Sequence, residues 1–128
     1  MLLLDTDILI DILKGHSAAV TCLQLLGDLE ISVPGYAAME IIVGARDKAE
    51  LRDITETLEL YVVCWPTPGD CDRALSLFAR VSLSHRLSPF DALIGELAKG
   101  LGVPLYTFNV KHFQHVPDLL TVQPYARK

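Results

Sequence analysis

Short apolar runs alternate along this chain with stretches in which apolar positions recur every three to four residues. "LLLD" (2–5), "EISVP" (30–34), "YVVCW" (61–65) and "VPLYTFN" (103–109) are the runs, and they predict four short strands. "LLTVQPY" (119–125) predicts a fifth at the edge of the sheet. Helical spacing fills 6–14, closed by Gly15 just past its end, then 17–29, 35–46, 47–60, 67–83 and 88–100. Strands alternating with helices predict an α/β fold, a parallel sheet with helices on both faces. Ligands in such folds bind at the carboxyl ends of the strands, where the strand order reverses. Side chains at those strand ends are therefore the first candidates for chemistry.

The 128 residues contain no repeat, low-complexity tract or Gly/Ser linker, so the chain reads as a single domain over 1–128, long enough to bury a core unaided. Hydrophobic residues make up 51% of it. No apolar run reaches the roughly 20 residues that span a bilayer. Acids interrupt the opening "MLLLDTDILI", which lacks the basic start and small-residue cleavage site of a signal peptide. A cytoplasmic protein with no membrane role is expected. Cys22, Cys64 and Cys71 are odd in number and widely spaced, which argues against a disulfide framework and a thiolate metal site. A net charge of −5 argues against a general nucleic-acid coat protein. It is compatible with an acidic pocket that takes a divalent cation and, through it, a phosphate.

Several carboxylates compete for that role. Asp5 closes the first strand, where an N-cap and a ligand-facing acid look alike. Asp7 and Asp11 lie one helical turn apart, with Lys14 beyond them, and read as a solvated helix face. Glu40 is the only charged residue between Pro34 and Ala45, and its segment has no polar face onto which it can turn. A buried glutamate without a partner is costly or shifts its pKa, so Glu40 is expected to meet a cation or to sit at the rim of a cleft. Asp91 stands in "SPFD", a capping box with Ser88 as N-cap and Pro89 at the first helical position. "TPGD" repeats the pattern at Thr67, Pro68 and Asp70, and there the cap reading suffices. Asp91 differs because its helix leads directly into the strand expected beside the first, so cap and site both stay open. Thr107 and Asn109 close that strand, where asparagine alone would supply a turn or cap a short helix. His112 and His115 read as surface-turn residues rather than metal ligands.

"LLLDTDILIDILKG", "AAMEIIVGAR", "SPFDALIGELAKGLGVPLYT" and "FNVKHF", in this order and spacing, resemble PIN-domain ribonucleases, and among them the VapC-type toxins of bacterial and archaeal toxin–antitoxin pairs. The resemblance covers essentially the full length. It implies a three-layer α/β/α sandwich around a central parallel sheet of about five strands. It also implies RNA hydrolysis with Mg²⁺ or Mn²⁺, on which Asp5, Glu40 and Asp91 converge. Asp5 and Asp91 would be the principal ligands and Glu40 would hold a water or a second ion. Thr107 and Asn109 would orient water or substrate. Many members carry a fourth acid where this chain has Asn109, and a neutral ligand there disfavours a second, tightly held metal. The implied partners are an RNA substrate, a second copy of the chain in a homodimer, and a small antitoxin whose tail blocks the acidic pocket. Arg46, Lys48, Arg52, Arg80, Arg86 and Lys111 are candidates for a basic rim. The apolar helices around "YAAMEIIVGA" and "DILKG…LQLL" suggest surface buried against other chains.

Rival readings remain. "LLLDTD" also matches the strand-then-Asp-x-Asp opening of haloacid-dehalogenase-type phosphatases, whose first aspartate is a nucleophile. Ile8 and Leu9 stand where glycine and threonine are usual there, and "GDCD" (69–72) matches the later acidic motif poorly. A receiver-like signalling module would need an aspartate at the end of the third strand, and "YVVCWPTP" has none. A catalytically weak PIN domain that only binds RNA or protein is the non-enzymatic alternative.

Overall fold

A computed structural model of the chain describes residues 1–84 and 86–126. Its strands are β1 (Leu2–Leu4), β2 (Ile31–Pro34), β3 (Val62–Cys64), β4 (Leu105–Tyr106) and β5 (Thr121–Val122). They form one wholly parallel sheet in the order β3-β2-β1-β4-β5. The helices are α1 (Thr6–Leu13), α2 (Ser17–Leu26), α3 (Gly35–Val43), α4 (Lys48–Leu58), α5 (Pro68–Val81), α6 (Pro89–Leu101) and the short α7 (Val110–Phe113).

The two-residue period of a strand divides β1 between two cores. Leu3 packs with Leu77 of α5, Leu97 of α6 and Phe113 of α7. Leu2 and Leu4 point the other way, into a core with Leu9 of α1, Ala37 and Ile41 of α3, and Ile54 of α4. Each of the three leucines is at least 98% buried, and such burial contributes about 2 kcal/mol apiece. The result is the three-layer α/β/α sandwich expected from the alternation of strands and helices.

Several elements end earlier than their apolar patterns suggest. α2 stops at Leu26 because Gly27 takes a positive φ of 59°. β4 has two residues rather than seven, since the chain turns away after Tyr106 to start α7 at Val110. β3 is an edge strand and leaves Val62 and Val63 exposed. From β3 the chain crosses by α5 and α6 to β4, on the far side of β1. The strand order therefore reverses beside β1, and its carboxyl end is the place where this fold class receives ligands. Among the described residues no single helix is long and apolar enough to cross a membrane.

Candidate active site

Asp5 stands at that strand end. Its backbone is extended, and its Oδ1 accepts the Thr6 N–H at 2.8 Å, so it does cap α1. Its Oδ2 accepts the Thr107 hydroxyl at 2.8 Å, a contact no helix cap requires. Thr107 is fully buried just past β4, and its own Oγ1 accepts the Asn109 N–H at 3.0 Å. Asp5 is only 4% exposed. Burial, then the charge of Asp7, pushes its carboxyl up to about 6; Asp91 adds to the rise, while the Thr107 and Thr6 hydrogen bonds oppose it.

Asp91 forms the capping box anticipated from "SPFD". Ser88 Oγ accepts the Asp91 N–H at 3.0 Å, and Asp91 Oδ2 accepts the Ser88 N–H at 3.4 Å. The charge of the same carboxylate raises the pKa of both Asp5 and Glu40. His112 Nδ1 lies 3.9 Å from Asp91 Oδ2. Glu40 is exposed on α3, at the rim of a cleft of about 440 Å³ floored by Ile10, Leu13, Ile41 and Ile54. Partial burial raises its carboxyl first and Asp91 second, with the Thr6 side chain opposing. Asp5, Glu40 and Asp91 thus come from β1, α3 and α6 into one electrostatic field. Among the described residues no ion pair joins Asp5 or Glu40 to a cation.

Two expectations are corrected. Asp7 and Asp11 do not form a solvated face. Asp7 Oδ1 accepts the Ile8 N–H at 2.8 Å, and its Oδ2 accepts the Phe108 N–H at 3.0 Å, pinning the loop between β4 and α7. Asp11 is buried and accepts the Tyr125 hydroxyl at 2.8 Å. Tyr125 in turn meets Phe108 edge-on at 5.0 Å and stacks on His16 at 6.1 Å. The spacing of Asp11 three residues after buried Ile8 was the available signal. The second correction concerns Asn109, whose side chain does not cap α7; its N–H holds Thr107 instead. The proposed basic residues come from separate places: Lys48 and Arg52 from α4, Arg46 just before it, Arg80 from α5, Arg86 from the loop before α6 and Lys111 from α7. Arg46 pairs with Glu50 at 3.1 Å.

The chemistry of the donor set bears on a metal. All three acids offer oxygen, which suits a hard divalent cation. Among the described residues no group of three or more His, Cys, Asp or Glu side chains forms a ready-made metal cage. An ion such as Mg²⁺ does not need one, because it keeps several waters and is held by one or two carboxylates. A carboxyl pushed up to about 6 by burial and by neighbouring acids is one that such a cation would relieve. The residues fit.

A family model described as the PIN domain matches residues 2–119. Ribonuclease VapC19 of Mycobacterium tuberculosis is 32% identical over 122 residues, which cover 93% of this chain and 97% of that protein. A toxin-antitoxin complex from Klebsiella pneumoniae contains a chain that superposes with a TM-score of 0.81 at 25% identity, covering 99% of this chain and 100% of that one. A chain of VapBC-1 from nontypeable Haemophilus influenzae superposes with a TM-score of 0.80 at 26% identity, covering 95% and 96% respectively. With its fold, its switch-point acids and these matches together, the chain belongs to the PIN-domain family.

Proposed function

We propose that this chain is a Mg²⁺- or Mn²⁺-dependent endoribonuclease, a single cytoplasmic PIN domain that acts as the toxin of a toxin–antitoxin pair. The observation that carries this reading is the field shared by Asp5, Glu40 and Asp91, three acids from three elements, with no cation among the described residues paired to Asp5 or Glu40. The likeness to a ribonuclease and to chains of toxin–antitoxin complexes supports the substrate class and the partner.

Asp5 and Asp91 would hold the ion, with Glu40 at the rim. When bound, the ion supplies Lewis-acid polarisation of the phosphodiester and a lowered pKa for the attacking water. Thr6 and Thr107 orient the Asp5 carboxylate before any ligand arrives. The Ser88 cap aims Asp91 in the same way. Glu40, its affinity for protons raised, is suited to take one from water at the rim. The exposed Asn109 side chain, next to the Thr107 that braces Asp5, orients water or substrate.

The cleft beside Glu40 has an apolar floor and an edge of mixed charge, with Lys14, Arg46, Glu50 and Asp53, so it suits an antitoxin segment with apolar side chains, one arginine reaching the carboxylates of Glu40 and its neighbours. Met39 and Val43 on α3 and Leu25 on α2 are exposed, in support of a homodimer; gel filtration showing only monomer at micromolar concentration would count against it. The decisive experiment is RNA cleavage by the purified chain with Mg²⁺ or Mn²⁺, with EDTA and with Asp91→Asn. Cleavage lost in both controls is expected. An Asp91→Asn protein that cuts as fast as the parent would defeat the site assignment. A parent with no divalent-dependent cleavage would leave the RNA- or protein-binding module in its place.

A further inference from the structure

We propose that Trp65, Tyr36 and Phe90 form a stacking platform for an unpaired nucleobase of the RNA, beside the acidic cluster. The proposal rests on the endoribonuclease reading and states how that substrate is held. Three rings from separate elements meet in one group. Tyr36 lies 5.5 Å from Trp65, edge to face, and 5.7 Å from Phe90. The group borders the acids, because Tyr36 sits one helical turn before Glu40 on α3 and Phe90 immediately precedes Asp91 on α6. Trp65 follows β3, at the same carboxyl end of the sheet.

These rings are open yet fixed. Trp65 is 53% exposed and Phe90 49%, although such rings are ordinarily among the first to be buried. The backbone of Gly35, the first residue of α3, approaches the Trp65 ring so closely that a Cβ there would overlap it. Tyr36 braces the same ring. An aromatic face oriented before its ligand arrives loses little freedom on binding.

Charge is the second argument. The chain carries −5, its site is acidic, and its basic residues are distributed over several elements. Stacking on an aromatic ring needs no positive charge and accepts any base, so it suits a site of this charge. Duplex bases are already stacked on one another, so the occupant is single-stranded RNA.

Trp65 is the only tryptophan in the chain, so its fluorescence reports on the platform directly. The probe is a short single-stranded RNA of mixed sequence, with EDTA present to prevent cleavage. Saturable quenching of Trp65 is expected. Phe90→Ala should weaken binding by about 5- to 150-fold, the range that base–aromatic stacking spans. Trp65→Phe should recover most of the affinity, read with a labelled oligonucleotide, that Trp65→Ala loses. An oligonucleotide with abasic positions should bind the parent as weakly as intact RNA binds Phe90→Ala. In cleavage assays Phe90→Leu should raise KM and leave kcat nearly unchanged. Unquenched Trp65 at saturating RNA, or equal affinity for the abasic strand, overturns the proposal. So does Trp65 fluorescence that responds to dilution of the RNA-free protein and not to RNA, which would assign the rings to a contact between copies. A parent that cleaves RNA while Trp65 stays silent sinks the platform alone. One that neither binds nor cleaves RNA sinks the ribonuclease reading as well.

Discussion

Between α5 and α6, Asp70 and Glu96 are each 3% exposed, and each is met by a cation, Asp70 from α5 and Glu96 from both helices. Arg73 pairs with Asp70 and lies 3.7 Å from Glu96, to which Lys99 donates at 3.1 Å. Asp70 also completes the Thr67 capping box, and Gly100 leaves it room, since a Cβ there would overlap the Asp70 carboxylate. At the carboxyl end of β1, Asp5 is just as deeply buried at 4% exposure, but the charges that act on it belong to Asp7 and Asp91. Burial is the same and compensation is opposite. At Asp70 and Glu96 the chain supplies the cation itself; at Asp5 the proposed function has it come from outside.

The largest expected effect breaks the acidic side of this comparison. Asp91→Asn should lower RNA cleavage by roughly a thousandfold, the equivalent of several kcal/mol of lost charge stabilisation, with the circular dichroism spectrum unchanged. Arg73→Ala tests the compensated side. It leaves Asp70 and Glu96 buried with Lys99 as the remaining cation, and because Arg73 is itself 51% exposed and screened by solvent, it should cost about 1–2 kcal/mol in urea denaturation, less than the loss of a fully buried partner. Cleavage per folded molecule should hardly change.

Asp5→Asn should do the reverse. A carboxyl raised from 3.8 to about 6 binds its proton more tightly in the folded chain, so stability falls as pH rises from about 4 through 6. At pH 8 the metal-free variant should therefore be more stable than the parent by about 3 kcal/mol, and near pH 4 the two should melt almost together. Adding Mg²⁺ should raise the melting temperature of the parent only. In the parent, proton and cation should compete for Asp5, so cleavage should decline as pH drops, with a midpoint that moves lower as Mg²⁺ is raised. The smallest effect separates cap from site. Ser88→Ala should cost about 1 kcal/mol of stability in thermal melts, and much less activity than Asp91→Asn.

Both capping boxes were legible because a cap is local. Ser88 with Asp91 and Thr67 with Asp70 each lie within one turn, so three residues of spacing carry the geometry. Glu40 was legible from an absence, the lack of a polar face on its helix. Asp7 and Asp11 were misjudged for the opposite reason. Their partners, the Phe108 N–H and the Tyr125 hydroxyl, lie 101 and 114 residues away along the chain. Nothing near them in sequence announces such contacts. The Arg73 bridge was equally hidden, because Glu96 belongs to the next helix and reaches Arg73 only when α5 and α6 pack.

Apolar periodicity and short-range capping sufficed to establish the order of strands and helices, since both depend on residues a turn or less apart, and the alternation of the two predicted the parallel sheet. Which acids lack a cation, which rings stand beside them and which aspartates serve as braces was decided only by tertiary packing. Electrostatic compensation acts through space, and the distance along the chain between two groups says nothing about the field they share.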